Sequence, residues 1–139
     1  MYQFARSTRP FPRLVMIAAC AGTALSASSF AERGVVVRTS FWTDPISGNW
    51  SDPTRWSSGV PQNTDDEQYH ATIAAVGSPY TVTANTNVTI NQLNLVSNDA
   101  TLLLTGGSTF RTDWATIGTT NAPGFARVQL QNAMIEGGT

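Results

Sequence analysis

From Tyr80 onward, hydrophobic and polar positions alternate in short runs: Tyr80-Thr81-Val82-Thr83, Val88-Thr89-Ile90, Leu93-Asn94-Leu95 and Ala126-Arg127-Val128-Gln129-Leu130. Period-two alternation with β-branched residues predicts strands buried on one face and wet on the other. Turn signals separate the runs at Asn98-Asp99, Gly106-Gly107, Ala122-Pro123-Gly124 and Gly137-Gly138. No window of a dozen residues carries helical periodicity, so the pattern predicts an all-β fold.

The spacing of the runs narrows this further. Leu93-Asn94-Leu95 recurs in character at Ala115-Thr116-Ile117, twenty-two residues on, and Ala100-Thr101-Leu102-Leu103-Leu104 recurs at Ala126 to Leu130, twenty-six on. The four extra residues fit a turn from Thr119 to Gly124. Repeats of this size, each with several short strands, are the mark of a parallel β-helix, in which each coil pairs with the next. An antiparallel β-sandwich is the alternative, because strands spaced about 8–12 residues apart suit it as well. Hairpin turn signals are few and the strands fall short of the usual five or six residues or so, which favours the β-helix.

Residues 41–64, FWTDPISGNWSDPTRWSSGVPQNT, have another texture: three of the four tryptophans and three prolines stand among Gly, Ser, Asn and Asp. The turn dipeptides Asp44-Pro45, Ser47-Gly48, Asp52-Pro53 and Ser58-Gly59 leave no room for a long helix or strand. A compact loop folded over its own indoles is expected, placed where an N-terminal cap would cover the open strand edges of a β-helix. Trp42, Trp50 and Trp56 then close the first coil, their indole N–H groups bonded to loop carbonyls. The sharper alternative is a sugar-binding platform: exposed Trp42, Trp50 and Trp56 stacking on pyranose rings, with Asp44, Asn49 and Asp52 accepting hydroxyl hydrogens. Burial is the usual fate of tryptophan, so the cap is the first reading. Trp114 stands apart and reads as a strand-end packing residue.

The first thirty-one residues read as an address. Arg6, Arg9 and Arg13 precede an apolar stretch from Leu14 to Ala27, and Ser29-Phe30-Ala31 supplies small residues for cleavage, which is the plan of a secretory signal peptide. About fourteen apolar or small residues fall short of the roughly twenty that span a bilayer. Ile17-Ala18-Ala19-Cys20 offers a second, less favoured reading, a lipoprotein cut with lipid on Cys20. Cleavage after Ala31 divides the chain into a leader (1–31), a tryptophan-rich capping segment (32–79) and the first coils of a β-helix (80–139), truncated after one or two turns.

Charge removes several function classes. The full chain has 139 residues, only 12% of them charged, with no lysine. After removal of the leader, five arginines face nine acidic residues, a net charge of −4 and no basic patch of the kind that captures nucleic acid. One His and one Cys do not make a four-ligand zinc site, and no cofactor is expected. Asp65-Asp66-Glu67 invites a catalytic or calcium reading, but adjacent carboxylates on an extended chain point to opposite faces and the stretch has no glycine. It is expected to be a solvated acidic turn, with His70 a surface residue at a strand start. Arg111, Asp113 and Arg127 are the scattered candidates for the basic and acidic cluster that a polysaccharide-active enzyme would need.

The stretch Ser47-Gly48-Asn49-Trp50-Ser51-Asp52-Pro53, then Arg55-Trp56-Ser57-Ser58-Gly59-Val60-Pro61, Asp65-Asp66, Ala71-Thr72-Ile73 and Tyr80-Thr81-Val82, resembles the start of a class of exported bacterial β-solenoid proteins. These are the passenger-like proteins with autotransporter-associated β-strand repeats and their relatives with a C-terminal Pro-Glu-Pro sorting anchor. Ala100 to Gly107, and Thr116-Ile117-Gly118 before Ala126-Arg127-Val128, also resemble their coils. The resemblance implies a right-handed parallel β-helix with an N-terminal cap, exported to the bacterial surface or beyond. Members of this class mostly lack a defined biochemical activity. The first functional expectation is a structural or adhesive module, not an enzyme, with extracellular polysaccharide or cell-surface components as its partners. The alternative functions are a carbohydrate-binding module or the N-terminal part of a pectate-lyase-like enzyme.

Overall fold

The described residues form nine strands: β1 (Val36–Phe41), β2 (Gly48–Asn49), β3 (Glu67–Ile73), β4 (Tyr80–Ala84), β5 (Val88–Leu95), β6 (Ala100–Thr105), β7 (Thr109–Ile117), β8 (Arg127–Gln131) and β9 (Met134–Gly137), and alternating sequence becomes alternating burial in β3, β4, β5 and β6. The computed structural model describes residues 34–118 and 126–137. The leader expected for residues 1–31, Cys20 and the turn assigned to residues 119–124 lie outside them. Among the described residues the only helical element is a 3-10 turn at Pro53–Arg55, and no helix is long and apolar enough to cross a membrane.

The strands sort by parity into a five-stranded sheet, β1-β3-β5-β7-β9, and a four-stranded sheet, β2-β4-β6-β8. Every strand-to-strand pairing is parallel. An antiparallel sandwich joins sequence neighbours as hairpins, whereas here sequence neighbours fall in different sheets. The two sequence recurrences are register partners: Leu93 lies opposite Ala115 and Leu95 opposite Ile117, while Leu102 faces Val128 and Leu104 faces Leu130. Parallel ladders put like positions side by side, so an inward apolar residue stacks on the next inward apolar residue.

The segment 32–79 supplies β1 and β3 to the five-stranded sheet and β2 to the other. One expectation needs correction. Val88-Thr89-Ile90 and Leu93-Asn94-Leu95, expected as separate strands, are one strand, β5, in which the alternation changes phase. Val88 and Ile90 are buried, then Leu93 and Leu95, so Asn91 and Gln92 both remain half-buried at the junction. A phase break keeps the pairing while redirecting the inward face, and it reads in sequence as a gap between two runs.

The core consists of the inward residues of both sheets, among them Ile73, Val82, Val88, Ile90, Leu93, Leu95, Leu102, Leu104 and Phe110. Each such side chain, removed from water, contributes about 1.5–3 kcal/mol. Buried hydroxyls join segments distant in sequence: Ser97 Oγ donates to the Ala75 carbonyl at 2.6 Å and Ser108 Oγ to the Ala84 carbonyl at 3.1 Å. Between β6 and β7, Gly106 and Gly107 take φ of +73° and +77° in succession, a left-handed pair that side-chain-bearing residues rarely adopt.

Candidate functional site

The tryptophan loop is built on the outer edge of β1. Its residues 55–59 run back along that edge: Thr43 N–H donates to the Arg55 carbonyl, Ser57 N–H to the Phe41 carbonyl, and Ser40 Oγ to the Gly59 carbonyl at 2.8 Å. Trp42 and Trp56 form an antiparallel bridge there. Asp52 starts the Pro53–Arg55 turn by accepting from Thr54 N–H at 2.9 Å and Thr54 Oγ1 at 2.7 Å. Those bonds to its charged form hold the Asp52 carboxyl below its ordinary pKa.

All three indoles of this loop are buried: Trp42 is 2% exposed, Trp50 1% and Trp56 4%. Each N–H is used, Trp42 Nε1 donating to the Ile46 carbonyl, Trp50 Nε1 to Pro61 and Trp56 Nε1 to Trp50. The rings form an edge-to-face series, Trp42 on Trp56 at 5.2 Å, Trp56 on Trp50 at 4.7 Å and Trp50 on Phe110 at 5.2 Å between centroids. Gly48 passes so close that a Cβ there would lie 3.3 Å from the Trp42 ring. The sugar platform expected of exposed Trp42, Trp50 and Trp56 is therefore corrected: their faces pack against one another, leaving none for a pyranose to stack on. Asp44 and Asn49 are exposed, but with the indoles covered they flank no aromatic surface, and Asp52 is engaged with Thr54.

The outward face of the five-stranded sheet has a different character. In register across it run Thr39, His70, Gln92 and Trp114, and beside them Phe41, Thr72, Asn94 and Thr116. These positions alternate with buried Ser40, Ala71 and Leu93, which places them on the side away from the core. Amides tie the face together: Gln92 Nε2 donates to Asn94 Oδ1 at 3.0 Å, and Asn94 Nδ2 to Thr72 Oγ1 at 3.4 Å. Trp114 is 68% exposed within β7, so its expected role in strand-end packing is also corrected. It directly precedes Ala115, the register partner of buried Leu93, and so falls on the wet side. The buried Thr112 hydroxyl, donating to the Trp114 carbonyl at 2.8 Å, fixes the backbone from which the indole projects. Carrying the alternation of Ala115-Thr116-Ile117 back by one residue finds this orientation in the sequence.

Next to this face, on the first half of the same strands, lies a groove of about 350 Å³ lined by Asn63, Thr89, Arg111, Asp113 and Glu136. The structure thus brings together Arg111 and Asp113 but leaves Arg127 in the other sheet, on β8. Arg111 is ion-paired to Glu136. Asp65 and Asp66 are exposed in the bend before β3, and Glu67 opens that strand in an ion pair with Arg38 at 2.7 Å. The hydrogen bond from Arg38 to Glu67, followed by the attraction of the two charges, raises the arginine pKa further. His70, expected at a strand start, lies inside β3. Among the described residues no group of three or more His, Cys, Asp and Glu side chains is placed to hold a metal ion.

Comparison with protein-family models, with curated proteins and with solved structures finds no match for this chain.

Proposed function

We propose that the chain is an exported bacterial surface segment built as a right-handed parallel β-solenoid, serving as a structural or adhesive module with no catalysis of its own. The observation that carries this reading is the sorting of strands by parity into two all-parallel sheets, which stacks like positions about one repeat apart. The rows Thr39, His70, Gln92, Trp114 and Phe41, Thr72, Asn94, Thr116 carry no Asp, Glu, Arg or Lys, which suits contact with surfaces instead of turnover of a substrate. The resemblance of the Trp50 and Trp56 stretch to capped, exported solenoids supports the same reading, as does the leader-like segment ending at Ala31.

The test is expression of the full chain in a bacterial host, followed by N-terminal sequencing and cell fractionation. A mature chain beginning at Glu32 in the exported fraction is expected, and its deletion from the native host should reduce retention of cells on a surface or matrix. An uncut chain kept in the cytosol, or unchanged retention, would contradict the proposal.

A further inference from the structure

We infer that the outward face of the five-stranded sheet binds a neutral, extended polysaccharide, with Trp114 and Phe41 as its two stacking points. This deepens the adhesive reading above, on which it rests, by naming the partner and the surface that takes it.

Aromatic side chains are normally withdrawn from water, yet Trp114 is 68% exposed and Phe41 49% exposed on one sheet face. Phe41 follows buried Ser40 at the end of β1, and Trp114 lies within β7, two residues after buried Thr112. Between them the same face carries His70 and Gln92 in the row of Trp114, and Thr72 and Asn94 in the row of Phe41. From β1 to β7 the two positions are three strand spacings apart across the sheet, about 14 Å for strands separated by about 4.8 Å, and two residues apart along the strands, so a bound chain crosses the strip obliquely. One strand spacing is close to the length of a pyranose unit, so a chain lying across the strands meets a new row position with each sugar.

The chemistry of the face selects the class of ligand. A pyranose offers an apolar C–H face for stacking and equatorial hydroxyls that both donate and accept, which matches indole and phenyl rings flanked by amide and hydroxyl groups. The Gln92, Asn94 and Thr72 bonds pre-order those groups, reducing the side-chain entropy lost when a ligand binds. No Asp, Glu, Arg or Lys occupies either row, so nothing on the strip compensates the charge of an acidic polymer. An apolar protein partner is poorly served as well, because the strip between the rings is polar throughout.

The test is affinity electrophoresis of the full chain in gels containing hydroxyethylcellulose, xyloglucan or dextran, with alginate as the acidic contrast. Retardation by at least one neutral polymer is expected, with little or none by alginate. Trp114→Ala should abolish it, Phe41→Ala should weaken it several-fold, and Thr101→Ala, on the other sheet, should leave it unchanged. Thermal melts accompany each variant, and Trp114→Ala should melt as the parent does because its side chain is largely in water. A folded, exported parent that no neutral polymer retards, or a Trp114→Ala chain retarded like the parent, would overturn this inference and leave the surface-module reading standing. Retardation by alginate alone would overturn it too, whereas failure of export would strike the earlier reading and not this one.

Discussion

The two ends of the stacked sheets treat the same kind of residue in opposite ways. At the β1 end the tryptophan loop lies along the strand edge and three indoles fill the interior, with Trp50 reaching Phe110. At the β8 and β9 end Ile117 is 51% exposed, Leu130 53% and Ile135 38%, although their register partners Leu95, Leu104 and Phe110 are completely buried. Chemistry and register are matched within each pair, so the difference comes from the neighbour on the far side. An inward position in a parallel stack is buried only when something covers it from both directions, and the tryptophan loop supplies that cover at one end.

The comparison breaks most severely at Trp50. Trp50→Ala removes the ring that links Trp56 to Phe110 and leaves the Pro61 carbonyl without its donor, and it is expected to cost about 3–5 kcal/mol. Urea unfolding of the full chain followed by circular dichroism measures this, and a loss below about 1 kcal/mol would show that the loop does not close the interior.

Leu104 and Leu130 give the sharper contrast, because they are the same residue at partner positions. Leu104→Ala is expected to cost about 2–5 kcal/mol and Leu130→Ala no more than about 0.5–1, by the same measurement. Equal losses would mean that the two ends are equally covered.

The tyrosines give a smaller, pH-dependent effect. Burial raises the pKa of Tyr80, whose hydroxyl donates to the Ala75 carbonyl at 3.0 Å, and burial followed by the nearby Glu67 charge raises that of Tyr69. A raised folded-state value favours the protonated phenol, so this contribution is whole below the ordinary value of about 10 and declines as pH rises past it. In a Tyr2→Phe chain, phenolate absorbance is expected to appear above that pH and together with loss of β structure. Ionisation at the ordinary pH with the fold intact would contradict the packing described for both rings.

Much of the sheet structure is legible in the sequence because alternation and recurrence are local signals. Leu93 with Leu95 and Leu102 with Leu104 announce inward faces, and their offsets of twenty-two and twenty-six residues are the registers of the β5–β7 and β6–β8 pairs. β1 escapes the same reading, because Val36 to Thr39 is exposed and Ser40 is its one buried position. In β3 the run Tyr69-His70-Ala71-Thr72-Ile73 does alternate, with Tyr69, Ala71 and Ile73 buried. The indoles show the limit in another form. Composition marks 41–64 as a tryptophan loop but does not say whether its rings face solvent or one another, and the ring that packs on Trp50 from outside the loop, Phe110, lies far along the chain. Trp114 stands one residue before the run Ala115-Thr116-Ile117, whose alternation extends back through it and gives the indole its outward side.

The four indole N–H groups provide the most direct test of the account. Three are bonded to loop carbonyls within a closed end, and Trp114 projects into water. Hydrogen exchange followed by NMR of the folded chain is predicted to show slow indole exchange for Trp42, Trp50 and Trp56 and fast exchange for Trp114. Fast exchange at Trp50 and Trp56, at the rate of Trp114, would contradict the claim that the tryptophan loop seals one end of the stack.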